Sequence, residues 1–283
     1  MSADNGSPGD PLLESPLGSP LGSPPESRPG SPLESLPGPS PGSPPGSPSK
    51  AGSSRAGSSR WTLLLGTAAC LAMLAALYAA LLFAPPERHM GDVQRIFYLH
   101  VNLAWTGYLA FAVTAVTSGL YLGTGRRSWD RIARASAEVG LLLITLVILS
   151  GSLWARPVWN TWWTDDPRLT TTLILWFLYA GYLLLHGTGE GPGGTRAAAA
   201  FGIVAFVMVP IVHMSVFWWR SLHPLVVTPG RMALEPRMVT ALLVAAPAFA
   251  LLYAWLLWQR VRLLRLEDEV AVLKGAVTRR YNR

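Results

Sequence analysis

Six long apolar blocks, separated by short polar segments, dominate the pattern of the chain. They run over residues 61–84, 96–122, 135–155, 169–187, 197–218 and 239–258. Each block is close to the roughly 20 residues that a membrane-spanning helix needs. Since none of them alternates apolar and polar residues with a period of two, strands of a membrane barrel are excluded. The pattern predicts an all-α fold, a six-helix transmembrane bundle.

Composition agrees with a membrane protein. Only 14% of the 283 residues are charged and the mean hydropathy is +0.32, whereas soluble domains carry roughly 25% charged residues. The net charge of +7 raises the question of nucleic acid. Its basic residues, however, lie between the apolar blocks and in the tail, and no nucleic-acid-binding motif is present. We therefore interpret the charge as a topology signal and expect membrane lipid, not nucleic acid, as the surrounding partner.

The basic residues indicate an orientation. Short cytoplasmic loops are enriched in Lys and Arg, and these residues are most frequent before the first block, in the second loop (Arg126, Arg127, Arg131 and Arg134) and after the sixth block. The pattern predicts an integral protein of the cytoplasmic (inner or plasma) membrane. Both termini would be cytoplasmic, and loops one, three and five would lie outside.

Two polar extensions flank the membrane domain of residues 61–258. Residues 1–60 repeat Gly, Ser and Pro and hold too few apolar residues to bury, so they predict a disordered tail. Residues 259–283 form a second cytoplasmic tail, in which Leu263, Leu266, Val270 and Leu273 have the spacing of an amphipathic helix. That helix suits a partner contact, an interfacial position or a simple solvated helix end.

The third loop is unusually rich in tryptophan. Trp154, Trp159, Trp162 and Trp163 lie within ten residues of each other. Tryptophans often form a belt at the membrane interface, but so dense a cluster beside charged residues favours a flat surface on which a planar, largely apolar ligand stacks.

Two histidines are expected on the same side of the membrane as this loop. His100 begins the second block and His223 follows the fifth. Neutral imidazole binds haem iron, and the outer-side arginines Arg95, Arg168 and Arg220 suit the haem propionates. His213, inside the fifth block, is a candidate functional residue, although a bond to a neighbouring helix explains it better. His89 is expected on the surface, and His186 on the opposite side.

Enzymatic signatures are missing from the sequence. There is no nucleophile–base pair, phosphate-binding loop or zinc-protease motif, so we expect a protein that is not an enzyme. Asp165 and Asp166 suit loop-ordering hydrogen bonds, for example with Arg168. The single Cys70 and the absence of a C-x-x-C-H motif exclude covalently attached haem.

Three segments together resemble a known family. Residues 159–170 (WNTWWTDDPRLT) resemble the tryptophan-rich "WWD" signature of proteins that handle haem in cytochrome c maturation, in the form of the CcmC branch. Residues 95–101 (RIFYLHV) and 215–223 (SVFWWRSLH) resemble the first and last outer-loop motifs of CcmC proteins. The resemblance covers about residues 61–258, with the motifs in the expected order.

The resemblance implies a function and a site. It implies non-covalent haem b held at the outer face, with His100 and His223 as axial ligands. The macrocycle would be cradled by Trp159, Trp162, Trp163, Asp166 and Arg168, with Arg95 near a propionate. It also implies presentation of haem to the chaperone CcmE within an ABC-type complex with CcmA, CcmB and CcmD, in which CcmA hydrolyses ATP.

Two positions depart from the family pattern. Asn160 replaces the usual Gly, and Asp165 replaces a Trp before the motif aspartate. The second change is expected to weaken stacking and to add negative charge beside the haem.

Two other functions remain open at this point. A cytochrome b-like electron-transfer subunit usually buries its histidine pairs within the spans, and here the pair is expected at one interface. A transporter of a small molecule unrelated to haem is expected to contain internal repeats; Pro210 and Pro247 interrupt spans, but no repeat is visible.

Overall fold

The computed structural model describes residues 51–188, 191–224, 227–228, 231–232 and 234–282. The described part is almost wholly helical and confirms the all-α class. Its α-helices are α1 (Ala51–Tyr78), α2 (Arg95–Thr124), α3 (Arg127–Trp159), α4 (Pro167–Thr188), α5 (Gly191–Phe206), α6 (Met208–Trp218) and α7 (Pro236–Tyr281). A π-helical turn (Ala79–Phe83) continues α1, a 3₁₀ turn (Asp92–Gln94) precedes α2, and a minimal antiparallel pair, β1 (Val227–Thr228) and β2 (Arg231–Met232), lies between α6 and α7.

The six predicted spans are confirmed in number and order. Within the described part of the chain, six helical segments are long and apolar enough to cross a membrane: Arg60–Phe83, Asp92–Thr124, Arg127–Trp159, Pro167–Thr188, Gly193–Trp218 and Pro236–Tyr281. Each contains one of the apolar blocks, apart from a residue or so at an end.

The first helix begins earlier than the predicted boundary at residue 61. Helix α1 starts at Ala51, so residues 51–60 of the predicted disordered tail are helical. The last proline of the tail is Pro48. Beyond it, extending a helix already formed by the span costs little, because each added residue gains a hydrogen bond. Residues 1–50, the rest of the predicted tail, lie outside the described residues.

The fifth span is two helices. Helix α5 ends at Phe206 and α6 begins at Met208, with a tighter turn at Val207, whose N–H donates to the carbonyl of Val204. Pro210 has no N–H to donate to the carbonyl of Phe206, so the regular helix cannot continue through this position. Residues 208–218 therefore form a separate helix that ends at the fifth loop.

Helix α7 joins the sixth span to the predicted amphipathic tail. It continues without interruption from Pro236 to Tyr281, a length of about 69 Å. About half of the helix follows Trp258, the last residue of the apolar block. The tail is therefore an extension of the span.

Aromatic rings fill the centre of the bundle. Phe111 on α2 and Tyr179 on α4 are fully buried and stacked, with ring centroids 3.5 Å apart and planes at 9°. Gly140 on α3 permits this, because a Cβ there would lie 2.6 Å from Cε1 of Phe111. The Ser136 hydroxyl links three helices: it donates to the carbonyl of Ala110 and contacts the Tyr253 hydroxyl at 2.8 Å. Such close packing and interhelical hydrogen bonds stabilise helices in lipid.

Candidate functional site

A cavity of about 660 Å³ opens at the end of the bundle where α2 and α4 begin and α3 and α6 end. This volume lies within the range of roughly 300–1,000 Å³ for small-molecule sites. Its walls are mainly apolar and aromatic, and they hold a few polar groups. The lining aromatic side chains are Phe97, Trp105, Tyr108, Trp154, Trp159, Trp163 and Phe217.

His100 and His223 face each other across this cavity. Their ring centroids are 6.5 Å apart and their planes are inclined by 39°. Bonds of roughly 2 Å from imidazole nitrogens to a shared metal would place two ring centroids roughly 6–6.5 Å apart. The pair, 123 residues apart in sequence, is therefore spaced for two ligands on opposite sides of one metal ion.

His100 is oriented by α3. Its Nδ1 lies 3.0 Å from the Ser150 hydroxyl, and that hydroxyl donates to the carbonyl of Leu146 at 2.7 Å. With its single hydrogen on that carbonyl, the serine oxygen is left to accept from Nδ1–H of His100, and we assign this tautomer from the contacts. The Nε2 lone pair of His100 is then free for a metal. Gly151 makes room for the ring, since a Cβ there would lie 3.1 Å from Cε1 of His100.

His223 is held through the loop that follows α6. Its backbone N–H donates to the Ser221 hydroxyl at 3.0 Å, and that hydroxyl donates to Oδ2 of Asp166 at 2.7 Å. Burial, together with the positive charge of Arg168, lowers the pKa of His223 to about 3. The imidazole is therefore neutral at physiological pH, the form that binds metals.

Asp166 is the junction between the third and fifth loops. Its carboxylate is buried and accepts hydrogen bonds from the N–H groups of Arg168 and Leu222 as well as from Ser221. The bond from Arg168 is the one that an N-cap residue makes at the start of a helix, here α4. Burial alone raises the pKa of Asp166, but the three hydrogen bonds outweigh burial and lower it. These contacts join the two loops, as expected for a loop-ordering residue. It does not line the cavity, so its contacts in this structure are with the two loops, and its expected contact with the macrocycle stays a prediction.

Arg168 brings a positive charge to the cavity wall. Its Nη2 donates to the carbonyl of His213 at 2.9 Å. The guanidinium thus contacts α6, whereas the expected pairing with an aspartate is limited to a backbone hydrogen bond. Its Nε is buried without a hydrogen-bond partner among the described residues, as is Nδ1 of His223.

The tryptophans of the third loop divide into two groups. Trp159 and Trp163 line the cavity, and Trp154 packs edge-on against Trp159 with centroids 5.2 Å apart. Trp162, also predicted to contact the ligand, is instead 56% exposed beneath the guanidinium of Arg156.

The two departures from the family pattern have structural explanations. Asn160 ends α3 with φ 56° and ψ 22°, a left-handed conformation that Gly and Asn adopt most easily. Asp165 is exposed and absent from the cavity lining. Its charge therefore lies towards solvent, and the expected weakening of stacking stays a prediction.

Arg95 and Arg220 are not part of the cavity wall. Arg95 Nη1 donates to the carbonyls of Ala80, Leu81 and Ala84, and its Nε pairs with Asp92 at 2.8 Å. It therefore caps the end of the first span, which is a different role from the predicted one beside a propionate. Arg220 is exposed outside the lining. The sequence motif places both arginines near the site, but it does not reveal where their guanidinium groups point.

Some lining residues were missed by the sequence analysis. His213, a candidate functional residue for which a bond to a neighbouring helix was preferred, lines the cavity, and its backbone carbonyl accepts the hydrogen bond from Arg168. Trp105 and Tyr108 on α2 also line it. Tyr108, eight residues or about two turns after His100, has a spacing that could have identified it, whereas Trp105, five residues after His100, does not. His89 is exposed, as predicted. His186 contacts Tyr182 and lies 3.5 Å from Asp130 at the other end of the bundle.

Comparison with known proteins agrees with the resemblance. Residues 48–275 match the family model CcmC, described as heme exporter protein C. Heme exporter protein C of Bradyrhizobium diazoefficiens is 35% identical over 195 residues, 68% of this chain and 74% of that protein. The Escherichia coli protein of the same name is 35% identical over 181 residues (64% and 74%), and the one from Haemophilus influenzae is 32% identical over 192 residues (67% and 78%). The chain, which the CcmC model matches over residues 48–275, belongs to the CcmC family.

Proposed function

We propose that the protein binds haem b non-covalently in this cavity and presents it for cytochrome c maturation. The observation that carries the proposal is the His100–His223 pair, 6.5 Å apart in a cavity lined by aromatic rings. The names of the relatives support the same conclusion, because those proteins are called heme exporters.

The residues present suit haem as a cargo. Two histidines supply only half of the four ligands that a closed zinc site uses, whereas an iron already held by a porphyrin accepts one or two axial ligands. Flat aromatic side chains suit the macrocycle. Arg168, with its unpartnered buried Nε, suits a propionate.

Each group of the chain has a separate task in this proposal. His100 and His223 coordinate the iron from opposite sides, with Ser150 and Ser221 fixing their positions. Trp159 and Trp163 cover the macrocycle and exclude water. Asp166 ties the two loops together, so that the ligand from one loop meets the surface from the other.

We place this site at the outer face, because the charge pattern assigns both termini to the cytoplasm. Haem would pass from there to a CcmE-type chaperone. Subunits of the CcmA, CcmB and CcmD type would form the surrounding ABC complex, in which CcmA hydrolyses ATP. The chain itself would then act as a haem-binding subunit and not as an enzyme.

An absorbance spectrum of the purified protein in detergent tests haem binding. We expect a Soret band with low-spin, bis-histidine features that is lost in the double variant His100→Ala/His223→Ala. The variant His89→Ala is the matched control, because His89 is exposed and outside the cavity. It should bind haem as the wild type does.

The same experiment separates the remaining functions. If no haem copurifies and none binds on titration, the proposal fails and a non-haem transporter is favoured. A Soret band that survives the double substitution moves the ligands elsewhere, with His213 as the next candidate. A stable haem that undergoes reversible reduction by quinol would favour an electron-transfer subunit. Transfer of the Soret band to an added CcmE-type chaperone tests presentation directly.

A further inference from the structure

The C-terminal half of α7 carries an apolar stripe that the bundle does not cover. Leu263, Leu266, Val270, Leu273 and Val277 are between 47% and 68% exposed. They follow one another at spacings of three, four, three and four residues. This is the a/d repeat of a two-stranded coiled coil, sustained over two heptads. We call these five residues the α7 stripe.

The opposite side of the same helix packs on the protein itself. Leu264 is buried, Asp268 pairs with Arg131 of α3, and Arg260 pairs with Glu138 of α3. At about 100° per residue, the α7 stripe lies on the side of the helix away from these contacts. The stripe is therefore presented outwards.

The membrane surface is unsuited to cover the α7 stripe. Helix α7 is continuous and about 69 Å long, more than twice the roughly 30 Å of a hydrocarbon layer, so its second half projects out of the membrane. Basic residues outnumber acidic ones in this extension, but Glu267, Asp268 and Glu269 form an acidic run between Leu266 and Val270, which an anionic lipid surface would repel.

The charges beside the stripe match a second copy of this chain. With Leu263 at position a, the g positions are Arg262 and Glu269, and the e positions are Glu267 and Lys274. In a parallel pair, each g residue faces the e residue five positions later in the other helix. Arg262 thus meets Glu267 of the partner subunit, and Glu269 meets Lys274 of the partner subunit, so both pairs have opposite charges.

The membrane supplies the parallel orientation. Two copies inserted in the same direction are related by a two-fold axis along the membrane normal, which makes their α7 helices parallel. Confinement to one membrane also raises the effective concentration, so that a coiled coil of two heptads is sufficient. We propose that the α7 stripe is a homodimerisation surface, in which two α7 extensions form a short parallel coiled coil.

Cysteine cross-linking of the full chain in membranes tests this dimer. In a Cys70→Ala background, Leu273→Cys is placed in the stripe, and Val272→Cys, which is 69% exposed but on another side of the helix, is the control. Because a disulfide requires Cβ atoms within roughly 4.5 Å, we expect mild oxidation to give about tenfold more dimer from Leu273→Cys than from Val272→Cys. Equal yields, no dimer, or a product with a different protein would overturn the proposal.

Charge reversal then tests the pairing within the dimer. Glu269 and Lys274 are the better pair to alter, because Arg262 and Glu267 also contact Thr62 and Arg260 within the chain. Glu269→Lys, which sets two lysines against each other, should reduce cross-linking through Leu273→Cys, and the double variant Glu269→Lys/Lys274→Glu should restore it. Failure of the double variant to restore it, while the protein still elutes as a folded species from gel filtration, would exclude the parallel arrangement.

Discussion

The carboxylate of Asp166 accepts a 2.7 Å hydrogen bond from the hydroxyl of Ser221, 55 residues further along the chain. This contact joins the tryptophan-rich loop to the loop that carries His223. Because the Ser221 hydroxyl also accepts the N–H of His223, the position of one candidate iron ligand depends on a residue that lies outside the cavity.

Asp166→Asn should therefore impair haem binding without removing a ligand. The amide presents hydrogen-bond donors to at least one of the groups that now donate to the carboxylate. Losing a hydrogen bond to a charged group lowers the free energy of unfolding by about 1.5–3 kcal/mol. Displacing a residue that holds a metal ligand in place lowers metal affinity by roughly ten- to a hundredfold. Thermal unfolding and haem titration measure the two effects. Asp165→Asn, at an exposed neighbour, is the control and should change neither.

Ser150→Ala should alter the ligation by His100. Without the hydroxyl, Nδ1 of His100 loses its acceptor, and the tautomer with a free Nε2 is no longer selected. We expect haem affinity to fall by roughly ten- to a hundredfold and the spectrum to shift towards weaker axial ligation. Ser150→Thr keeps the hydroxyl and should restore the wild-type spectrum. An unchanged spectrum in Ser150→Ala would show that the hydroxyl does not orient the ring.

Gly151→Ala should displace the His100 ring by steric contact alone. The new Cβ would lie 3.1 Å from Cε1, a few tenths of an ångström too close, so the imidazole must move. We expect weaker haem binding in a folded protein, measured by titration and followed by the low-spin features of the spectrum. Gly123→Ala, a helical position with no atom within 4 Å of the added Cβ, is the matched control. Equal effects of both substitutions would contradict the steric explanation.

The haem-free protein should lose stability as the pH falls, partly through His223. Its pKa is about 3 in the folded protein and roughly 6.5 in an unfolded chain. Between these values the unfolded state binds a proton that the folded state does not, so acidification favours unfolding. Melting temperatures from pH 7 to pH 4 should therefore fall less steeply for His223→Gln than for the wild type. Parallel curves would show that His223 is not held in its neutral form.

Sequence alone predicts the spans well because apolar length is a property of each segment by itself. It also predicts that His100 and His223 share a side, since His100 begins the second block and His223 follows the fifth. It cannot predict the direction of a long side chain: Arg95 belongs to the motif but binds carbonyls at the end of the first span. Nor does it reveal that His213 lines the cavity, because that depends on how α6 packs.

Asn160 departs from the Gly of the family pattern, but the two residues suit the same backbone conformation. The residue adopts φ 56°, a conformation that costs most L-residues roughly 1–2 kcal/mol but that Asn tolerates. Its side chain also accepts a hydrogen bond from Arg156 at 2.7 Å. Asn160 therefore meets the same backbone requirement that a Gly would meet at this position.

The stacked rings of Phe111 and Tyr179 limit how cargo can reach the cavity. They are fully buried between the helices and do not line the cavity, so they close the interior of the bundle below it. If the cavity binds haem as proposed, a rigid macrocycle cannot pass between rings whose centroids are 3.5 Å apart. Haem would then have to enter the cavity by a route other than the space between α2 and α4.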